Sequence, residues 1–256
     1  MFSSNYYLDF LLTMAALVLP FLVYLLSKRR SMTFDKDRIS ILNNNYAMFN
    51  TLYAVFLGVA LVNLLTTFYF AKDSIGREAE SLVIAYRLAG GIPSAQEVRP
   101  ALLNYAISIK DQEFPQMEQG RMSPETQKIM NQIWMQAFNV RPEGANEINI
   151  SRSFLNEVTE LNKYRLNRAS KVNDNLHPSV VFVIYIGYLL MLVKMWFTRI
   201  DWPVHQFSNE IIVVGITCVV IIVILDLKTP FSGICTVTAE AFEAAVQRMQ
   251  AIKAGG

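Results

Sequence analysis

Residues 46–70 read YAMFNTLYAVFLGVALVNLLTTFYF and contain no charged side chain. A helix needs about 20 mostly apolar residues to cross the hydrocarbon core of a bilayer, so this stretch predicts a transmembrane helix. Beyond it the apolar spacing continues, because Ile75, Ala79 and Leu82 recur every three or four residues. We therefore expect one helix to run out of the membrane until GGIP, at 90–93, ends it.

Three further apolar stretches have lengths that suit a span, at residues 6–26, 179–197 and 211–225. The chain of 256 residues is 53% hydrophobic and 17% charged, whereas soluble domains carry about 25% charge. The first stretch has its basic residues after it rather than before it, so we expect a retained helix and not a cleaved signal. These features predict an all-α integral membrane protein with four transmembrane helices.

The order of apolar and polar segments divides the chain into four parts. We expect a first transmembrane helix pair in 1–70, a helical extramembrane domain in 71–177, a second helix pair in 178–227, and a turn with an amphipathic helix in 228–256. Two spans separate the domain from the tail. Both therefore lie on the same side of the membrane, and we expect the tail helix to pack on the domain.

Two capping patterns mark helix starts inside the domain. Ser94 followed by Glu97 has the spacing of a capping box. Ser123 followed by Pro124 has the pattern of an N-cap with proline at the first helical position. The sequence therefore predicts helices that begin at these two points.

The basic residues near the spans do not settle the orientation of the chain. Positive charges favour the cytoplasmic side, but they occur at both sides of the membrane in similar numbers. Lys28, Arg29, Arg30, Lys36 and Arg38 follow the first span, whereas Lys72, Arg77 and Arg87 follow the second and Lys163, Arg165, Arg168 and Lys171 precede the third. The orientation stays open at this stage.

Nothing in the sequence has the spacing of a catalytic, cofactor-binding or metal site. Phosphate-binding loops and nucleophile elbows are absent, and neither His177, His205, Cys218 nor Cys235 has a partner at ligand spacing. A net charge of +2 is too small to indicate nucleic acid. We expect no enzyme, no cofactor and no metal; an intramembrane enzyme would have Asp226 as its sole candidate acid.

Polar groups inside the second span are the better indication of function, because lipid makes them costly. Phe56, Ala60, Asn63, Thr67 and Phe70 fall on one stripe of the helix. An amide and a hydroxyl between aromatic rings could line a pore as polar sites and constrictions. The alternative is that Asn63 and Thr67 hydrogen-bond to neighbouring helices and hold them together.

Charged residues gather where the second and fourth spans end. Fifteen residues from 211 to 225 rise only about 22 Å, so either 207–210 enters the membrane or Asp226 lies inside its edge and needs a partner. The predicted membrane-edge charged cluster comprises Arg77, Glu78, Glu80, Arg87, Asp226 and Lys228. Such a cluster is either a girdle of salt bridges or a vestibule that attracts ions.

Several segments resemble a known family in order and spacing. They are YAVFLGVALV at 53–62, AKDSIGREAESLVIAYRLAGGIP at 71–93, NYAISIKDQEFPQMEQGRMSP at 104–124 and ILDLKTPFSGICTVTAEAF at 224–242. Together they resemble the bestrophin-like membrane family, a domain family of unknown function. The recurrent positions of that family align with Arg77, Glu78, Glu80, Asp226, Pro230, Phe231 and Gly233. Lys228 and Thr229 depart from it, because an arginine before the proline is common there.

The resemblance implies an analogy with bestrophins, which are pentameric anion channels with four spans per subunit. It implies a ring-like homo-oligomer, a pentamer by this analogy, that conducts inorganic ions across the lipid bilayer, with the domain in the cytosol. It also implies a structural turn at Pro230, Phe231 and Gly233. We expect the bacterial inner membrane as the location. The alternative is a membrane-anchored scaffold or sensor whose helical domain binds a partner protein.

Overall fold

The computed structural model describes residues 36–172, 176–197 and 204–255 of the chain. Within these ranges every regular element is a helix, and none is a strand. The prediction of an all-α fold is therefore confirmed for the described residues.

The described residues include one helix that is long and apolar enough to cross a membrane, Asn44–Gly90. Two shorter apolar helices cover Pro178–Lys194 and Ile212–Leu227, in the regions of the third and fourth predicted spans. The first predicted span, residues 6–26, lies outside the described residues. The four-span topology stays a prediction.

Eight α-helices are described, together with a 3-10 turn and a π turn. They are α1 (Lys36–Gly90), a 3-10 turn (Pro93–Ala95), α2 (Val98–Ser108), a π turn (Ile109–Glu113), α3 (Phe114–Met117), α4 (Pro124–Phe138), α5 (Ala145–Ser170), α6 (Pro178–Phe197), α7 (Val204–Leu227) and α8 (Glu240–Gly255).

These helices form two compact units. The first unit contains the described residues up to Leu65 and those from 176 to Lys228. The second unit contains Thr66 to residue 172 and Thr229 to residue 255. Helix α1 therefore contributes one part of its length to each unit.

Helix α1 is 55 residues long because nothing in its sequence stops it earlier. It has no proline, and its only interior glycines are Gly58 and Gly76, each of which costs a helix about 1 kcal/mol relative to alanine. It ends at Gly90, and Pro93 then opens the 3-10 turn. The prediction that one helix continues from the second span to GGIP is confirmed.

In the first unit, Tyr53 of α1 packs closely against α6. The ring of Tyr53 lies directly over Gly187, where an added Cβ would overlap the ring. The Tyr53 hydroxyl donates a hydrogen bond of 2.6 Å to the carbonyl of Ile184. Phe49 stacks on the other side of Tyr53, with ring centroids 5.8 Å apart. Glycine at 187 is therefore what allows the two helices to come this close.

The second unit is built around a continuous apolar core. Helix α2 contributes Leu102, α5 contributes Phe154, and α8 contributes Phe242 and Met249, all of which are fully buried. The C-terminal helix α8 belongs to this unit, so the tail completes the core that the middle of the chain begins. Burial of side chains of this kind stabilises a fold by about 1.5–3 kcal/mol each.

One of the two predicted helix caps is confirmed and one is wrong. Ser123 accepts a hydrogen bond of 3.3 Å from the backbone N–H of Thr126 at the start of α4. Ser94, however, lies inside the 3-10 turn, where its hydroxyl donates to the carbonyl of Arg141 at 3.0 Å. The predicted capping box does not form, because the Ser94 hydroxyl bonds to the backbone of Arg141 instead of to the start of a helix. Helix α2 starts only at Val98.

We predict that Gly187→Ala destabilises the first unit by about 1–3 kcal/mol, because the new methyl group overpacks against the Tyr53 ring. Thermal unfolding of the detergent-solubilised protein measures the effect. Gly215→Ala in α7 is the matched control, since nothing lies within 4 Å of a Cβ at that position. Equal melting temperatures for the two variants would contradict the close contact between α1 and α6.

Candidate functional site

The predicted pore-lining stripe lies along α1 and borders the buried face of that helix. Asn63 and Phe70 are exposed, Phe56 and Thr67 are half-buried, and Ala60 is 8% exposed. Ala60 therefore packs inside the chain, whereas the amide of Asn63 and the ring of Phe70 are available to whatever lies beside α1. The role of the stripe in conduction stays a prediction.

A band of large apolar side chains is exposed beside this stripe. Leu52, Val55, Val59, Val62 and Tyr69 are all well exposed on α1. Single exposed apolar residues are normal, but a continuous apolar helix face is typical of a membrane or protein contact. The exposed surface of α1 thus combines apolar side chains with the amide of Asn63.

The acidic and basic residues predicted at the membrane edge do not all lie on one face of α1. Arg77, Glu80 and Arg87 are exposed. Arg77 forms an ion pair of 2.8 Å with Asp73, one helical turn earlier, and both side chains are more than half exposed. Solvent screens an exposed pair of this kind, so it contributes little to stability. Glu78, by contrast, is completely buried.

The other two predicted members of this cluster lie at the end of α7. Asp226 and Lys228 are both half-buried, and the Lys228 backbone N–H donates to the carbonyl of Ile224 at 3.2 Å, which extends the helical hydrogen bonding past Leu227. The structure describes these residues within the first unit and Glu78 within the second. Their joint role as a charged cluster stays a prediction.

Glu78 belongs instead to a buried network of charges in the second unit. Its carboxylate accepts two hydrogen bonds from Arg168, from Nε to Oε2 at 2.7 Å and from Nη2 to Oε1 at 3.0 Å. The Tyr105 hydroxyl donates a third, to Oε1 at 2.7 Å. Bidentate pairs of this kind are among the strong hydrogen bonds of proteins.

A second carboxylate, Glu113, completes the network. Glu113 Oε1 lies 2.6 Å from Arg168 Nη2, and Glu113 Oε2 accepts a hydrogen bond of 3.2 Å from Arg165 Nη2. Arg165 also donates to the side chain of Gln127. The network of Glu78, Glu113, Arg165 and Arg168 holds two negative and two positive side chains in the core, so it is neutral as a whole. Breaking one such buried pair typically costs about 3–5 kcal/mol.

The surroundings of Arg168 and Tyr105 in the network raise the pKa values of both side chains. Burial by itself lowers the pKa of the Arg168 guanidinium, but the charges of Glu78 and Glu113 outweigh burial and raise that pKa above its ordinary value. Burial, and then the negative charge of Glu78, raise the pKa of the Tyr105 phenol well above its ordinary value. Arg168 therefore stays charged and Tyr105 stays a hydrogen-bond donor.

Glu113 is the last residue of the π turn that follows α2. It follows buried Ile109 at a spacing of four residues, as Ile109 follows Tyr105. Glu113 is buried, whereas Gln112 beside it is exposed. Turns of this kind occur frequently at functional sites.

Sequence reasoning missed this network. It counted Arg165 and Arg168 among the exposed charges that precede the third span, although both are buried in ion pairs. A signal was present, because the two arginines share a face of α5 with buried Leu161 at three- and four-residue spacing. Their acidic partners lie 52 to 90 positions away along the chain, and spacing alone cannot identify them.

The turn after the last apolar helix packs into the second unit. Phe231 is buried and meets the edge of the Phe114 ring at 6.3 Å between centroids. The Pro230 carbonyl accepts a hydrogen bond of 2.9 Å from Val237, and Gly233 has φ of 139°, a conformation that other residues rarely adopt. These contacts agree with a structural role for Pro230, Phe231 and Gly233, which stays a prediction.

The described residues thus combine one long apolar helix with a helical second unit. Residues 13–242 match the Bestrophin-like domain, and the chain belongs to the Bestrophin-like family. The resemblance seen in the sequence is thereby confirmed, and the chain is an integral membrane protein.

Solved structures share this fold at low sequence identity. A bacterial bestrophin homologue from Klebsiella pneumoniae superposes with a TM-score of 0.70 at 11% identity, over 96% of this chain and 98% of that one. A point variant of a bestrophin homologue from the same organism gives a TM-score of 0.68 at 12% identity, over 96% and 100% of the two chains. A variant of a membrane protein gives 0.65 at 11% identity, over 98% and 99%. No curated protein matches the sequence.

We predict that Tyr105→Phe lowers the free energy of unfolding by about 1–2 kcal/mol at neutral pH, because Glu78 loses a buried donor. The pH dependence follows from the raised pKa of Tyr105. An unfolded chain loses the phenol proton near pH 10 while the folded protein keeps it, so Tyr105 favours unfolding as the pH rises above that value. The wild type should lose stability more steeply than Tyr105→Phe there.

Chemical unfolding between pH 8 and about pH 11 measures this difference. Tyr164→Phe supplies the matched control, since it removes one half-buried tyrosine from α5 without touching the network. Parallel curves for the wild type and Tyr105→Phe would contradict the buried, protonated phenol.

Proposed function

We propose that this protein is the subunit of an oligomeric ion channel, anion-conducting by its likeness to bestrophins, with α1 lining the conducting path. The observation that supports this most directly is the exposed amide of Asn63 within an apolar helix. A polar group that faces lipid is costly. An assembly that turns Asn63 away from lipid and toward water removes that cost.

Several copies of the chain are needed to form such a path. One copy supplies one lining helix, and the apolar side chains beside Asn63, such as Val59 and Val62, remain exposed in the single chain. A closed ring would cover them against neighbouring copies or lipid. We propose a homo-oligomer with four spans per subunit, pentameric by analogy, in the bacterial inner membrane, with the four segments 1–70, 71–177, 178–227 and 228–256.

The lining side chains suggest how ions pass. Asn63 and Thr67 would replace part of the hydration shell of an ion, while Phe56 and Phe70 narrow the path. Ala60 is packed within the chain, so its contribution is to leave space rather than to make contact. Selectivity would then arise from the number and direction of amide and hydroxyl groups around the ring.

The charges farther along α1 would shape the potential at one mouth of the path. Arg77 is paired with Asp73, so its field is partly neutralised, whereas Glu80 and Arg87 are exposed beyond it. In a ring each of these residues is repeated once per subunit. Repeated charges raise the local concentration of the opposite ion. Asp226 and Lys228 are proposed to serve the same mouth.

Ion flux from liposomes that contain the purified oligomer tests the channel directly. Chloride and potassium are measured separately, with empty liposomes as the control. Flux that differs between the two ions supports a selective channel, and a larger chloride flux supports the anion preference. No flux from protein that is folded and oligomeric would refute the proposal.

We predict that Asn63→Leu changes the ratio of chloride to potassium flux by about tenfold, because the ring of amides that contacts the ion is lost. Val62→Leu is the matched control, since it introduces the same side chain at the neighbouring exposed position on α1. Unchanged flux and selectivity in Asn63→Leu would remove α1 from the conducting path.

A second candidate function is a membrane-anchored scaffold that binds a partner protein, and one surface of the second unit favours it. Met135 is 67% exposed and Phe138 65% exposed at the end of α4, and Trp134 stacks on Phe138 with centroids 5.3 Å apart. Exposed aromatic and methionine side chains are enriched at protein interfaces. A stoichiometric partner that the full chain captures and Phe138→Ser does not, together with absent flux, would favour the scaffold.

A further inference from the structure

The part of α1 that enters the second unit buries small and large apolar side chains together. The buried residues are Ala71, Ile75, Ala79, Leu82, Ala85, Tyr86 and Ala89. Apolar cores tolerate several arrangements of similar volume. A directional interaction restricts more strictly which side of α1 faces the core.

Glu78 provides a directional interaction of this kind from the buried face of α1. Its two oxygens accept three hydrogen bonds, two from Arg168 on α5 and one from Tyr105 on α2. Successive residues of an α-helix lie about 100° apart. A rotation of α1 by one residue would therefore break all three bonds and leave a charge unpaired in the core, which buried sites tolerate poorly.

Arg168 also contacts elements other than α1, and these contacts fix its position. Glu113 in the π turn lies 2.6 Å from Nη2, and the sulfur of Met117 in α3 accepts a hydrogen bond of 2.9 Å from Nη1. The ring of Phe242 in α8 lies 5.9 Å from the guanidinium carbon. The position of Arg168 is thus set by three elements other than its own helix and α1.

We propose that Glu78 is a positioning residue, which fixes the rotation of α1 about its own axis and thereby which residues of α1 are exposed. The inference rests on the proposed function where it concerns conduction, because a rotated α1 would present different side chains to the ion path. Buried polar pairs that fix the register of helices rather than adding stability are known from other helical proteins.

The rotation of α1 can be measured without any assay of function. Val83 is 8% exposed and Ile84 is 38% exposed, so these adjacent residues report the buried and the exposed side of α1. Each is replaced by cysteine in a chain with Cys218→Ala and Cys235→Ser. The rate of labelling by a small charged thiol reagent is then compared in the intact oligomer. When the buried charge network is left unchanged, the reagent should label Ile84→Cys about tenfold faster than Val83→Cys.

The decisive variant combines Glu78→Leu with Arg168→Met, which removes one negative and one positive charge together. It also carries Tyr105→Phe, because the Tyr105 hydroxyl would otherwise lose its acceptor in the core. Glu113 keeps its partner Arg165, so no charge is left alone in the core, and apolar replacement of a buried pair is often neutral for stability. The expected result is a labelling ratio that falls toward one while the melting temperature stays close to that of the wild type.

The exposed ion pair on the same helix gives the matched control. Asp73→Asn with Arg77→Gln removes one charge of each sign from the solvent side of α1 and should leave the labelling ratio unchanged. Glu78→Gln is measured alongside, because it keeps the shape of the side chain. It serves as the test if the combined variant does not fold. A ratio that is unchanged in every variant of Glu78, or that is near one before any change to the network, overturns the proposal.

Flux measurements on the same liposomes separate this inference from the channel itself. Where the labelling ratio falls and the chloride to potassium ratio changes by about tenfold, the rotation of α1 controls selectivity. Flux in the wild type with an unchanged labelling ratio in the variants refutes the positioning role alone. Absent flux with a fallen labelling ratio refutes the channel alone and leaves Glu78 as the residue that sets α1.

Discussion

The pairing of Arg168 with Glu78 and Glu113 is the interaction that constrains how the helices of the second unit are arranged. A guanidinium at complete burial is stable only while both carboxylates surround it, so α1, α5 and the π turn must come together at one point. The apolar core around them could tolerate several arrangements of similar volume. The charges restrict that freedom, because Arg168 meets both carboxylates only when these elements come together.

Helix α1, which carries Glu78, is one continuous helix. The helix is unbroken from Lys36 to Gly90, and its residues belong to both compact units. An α-helix is stiff over such a length, and sharp kinks need a proline, a π-bulge or an inserted group. Glu78 and Asn63 therefore lie on one continuous helix, although they belong to different units.

Much of the fold could be predicted from local patterns. The apolar period predicted α1 through to GGIP, and Ser123 with Pro124 predicted the start of α4, because caps and periodic faces are properties of a few adjacent residues. The capping box at Ser94 failed because the serine pairs with Arg141, which is 47 positions away. Glu78 was assigned to the edge cluster from its position beyond the second span, whereas its hydrogen-bond partners Tyr105 and Arg168 lie 27 and 90 positions away.

Membership of the Bestrophin-like membrane family can be recognised from the amino-acid sequence, since the length of the apolar stretches and the order of the motifs are local features of the chain. Which charges are solvated and which are buried depends on the three-dimensional fold. Arg77 and Glu78 are neighbours in sequence, yet one lies in solvent and the other in the core. The reason is physical: burial of a charge depends on partners that folding brings from 90 residues away.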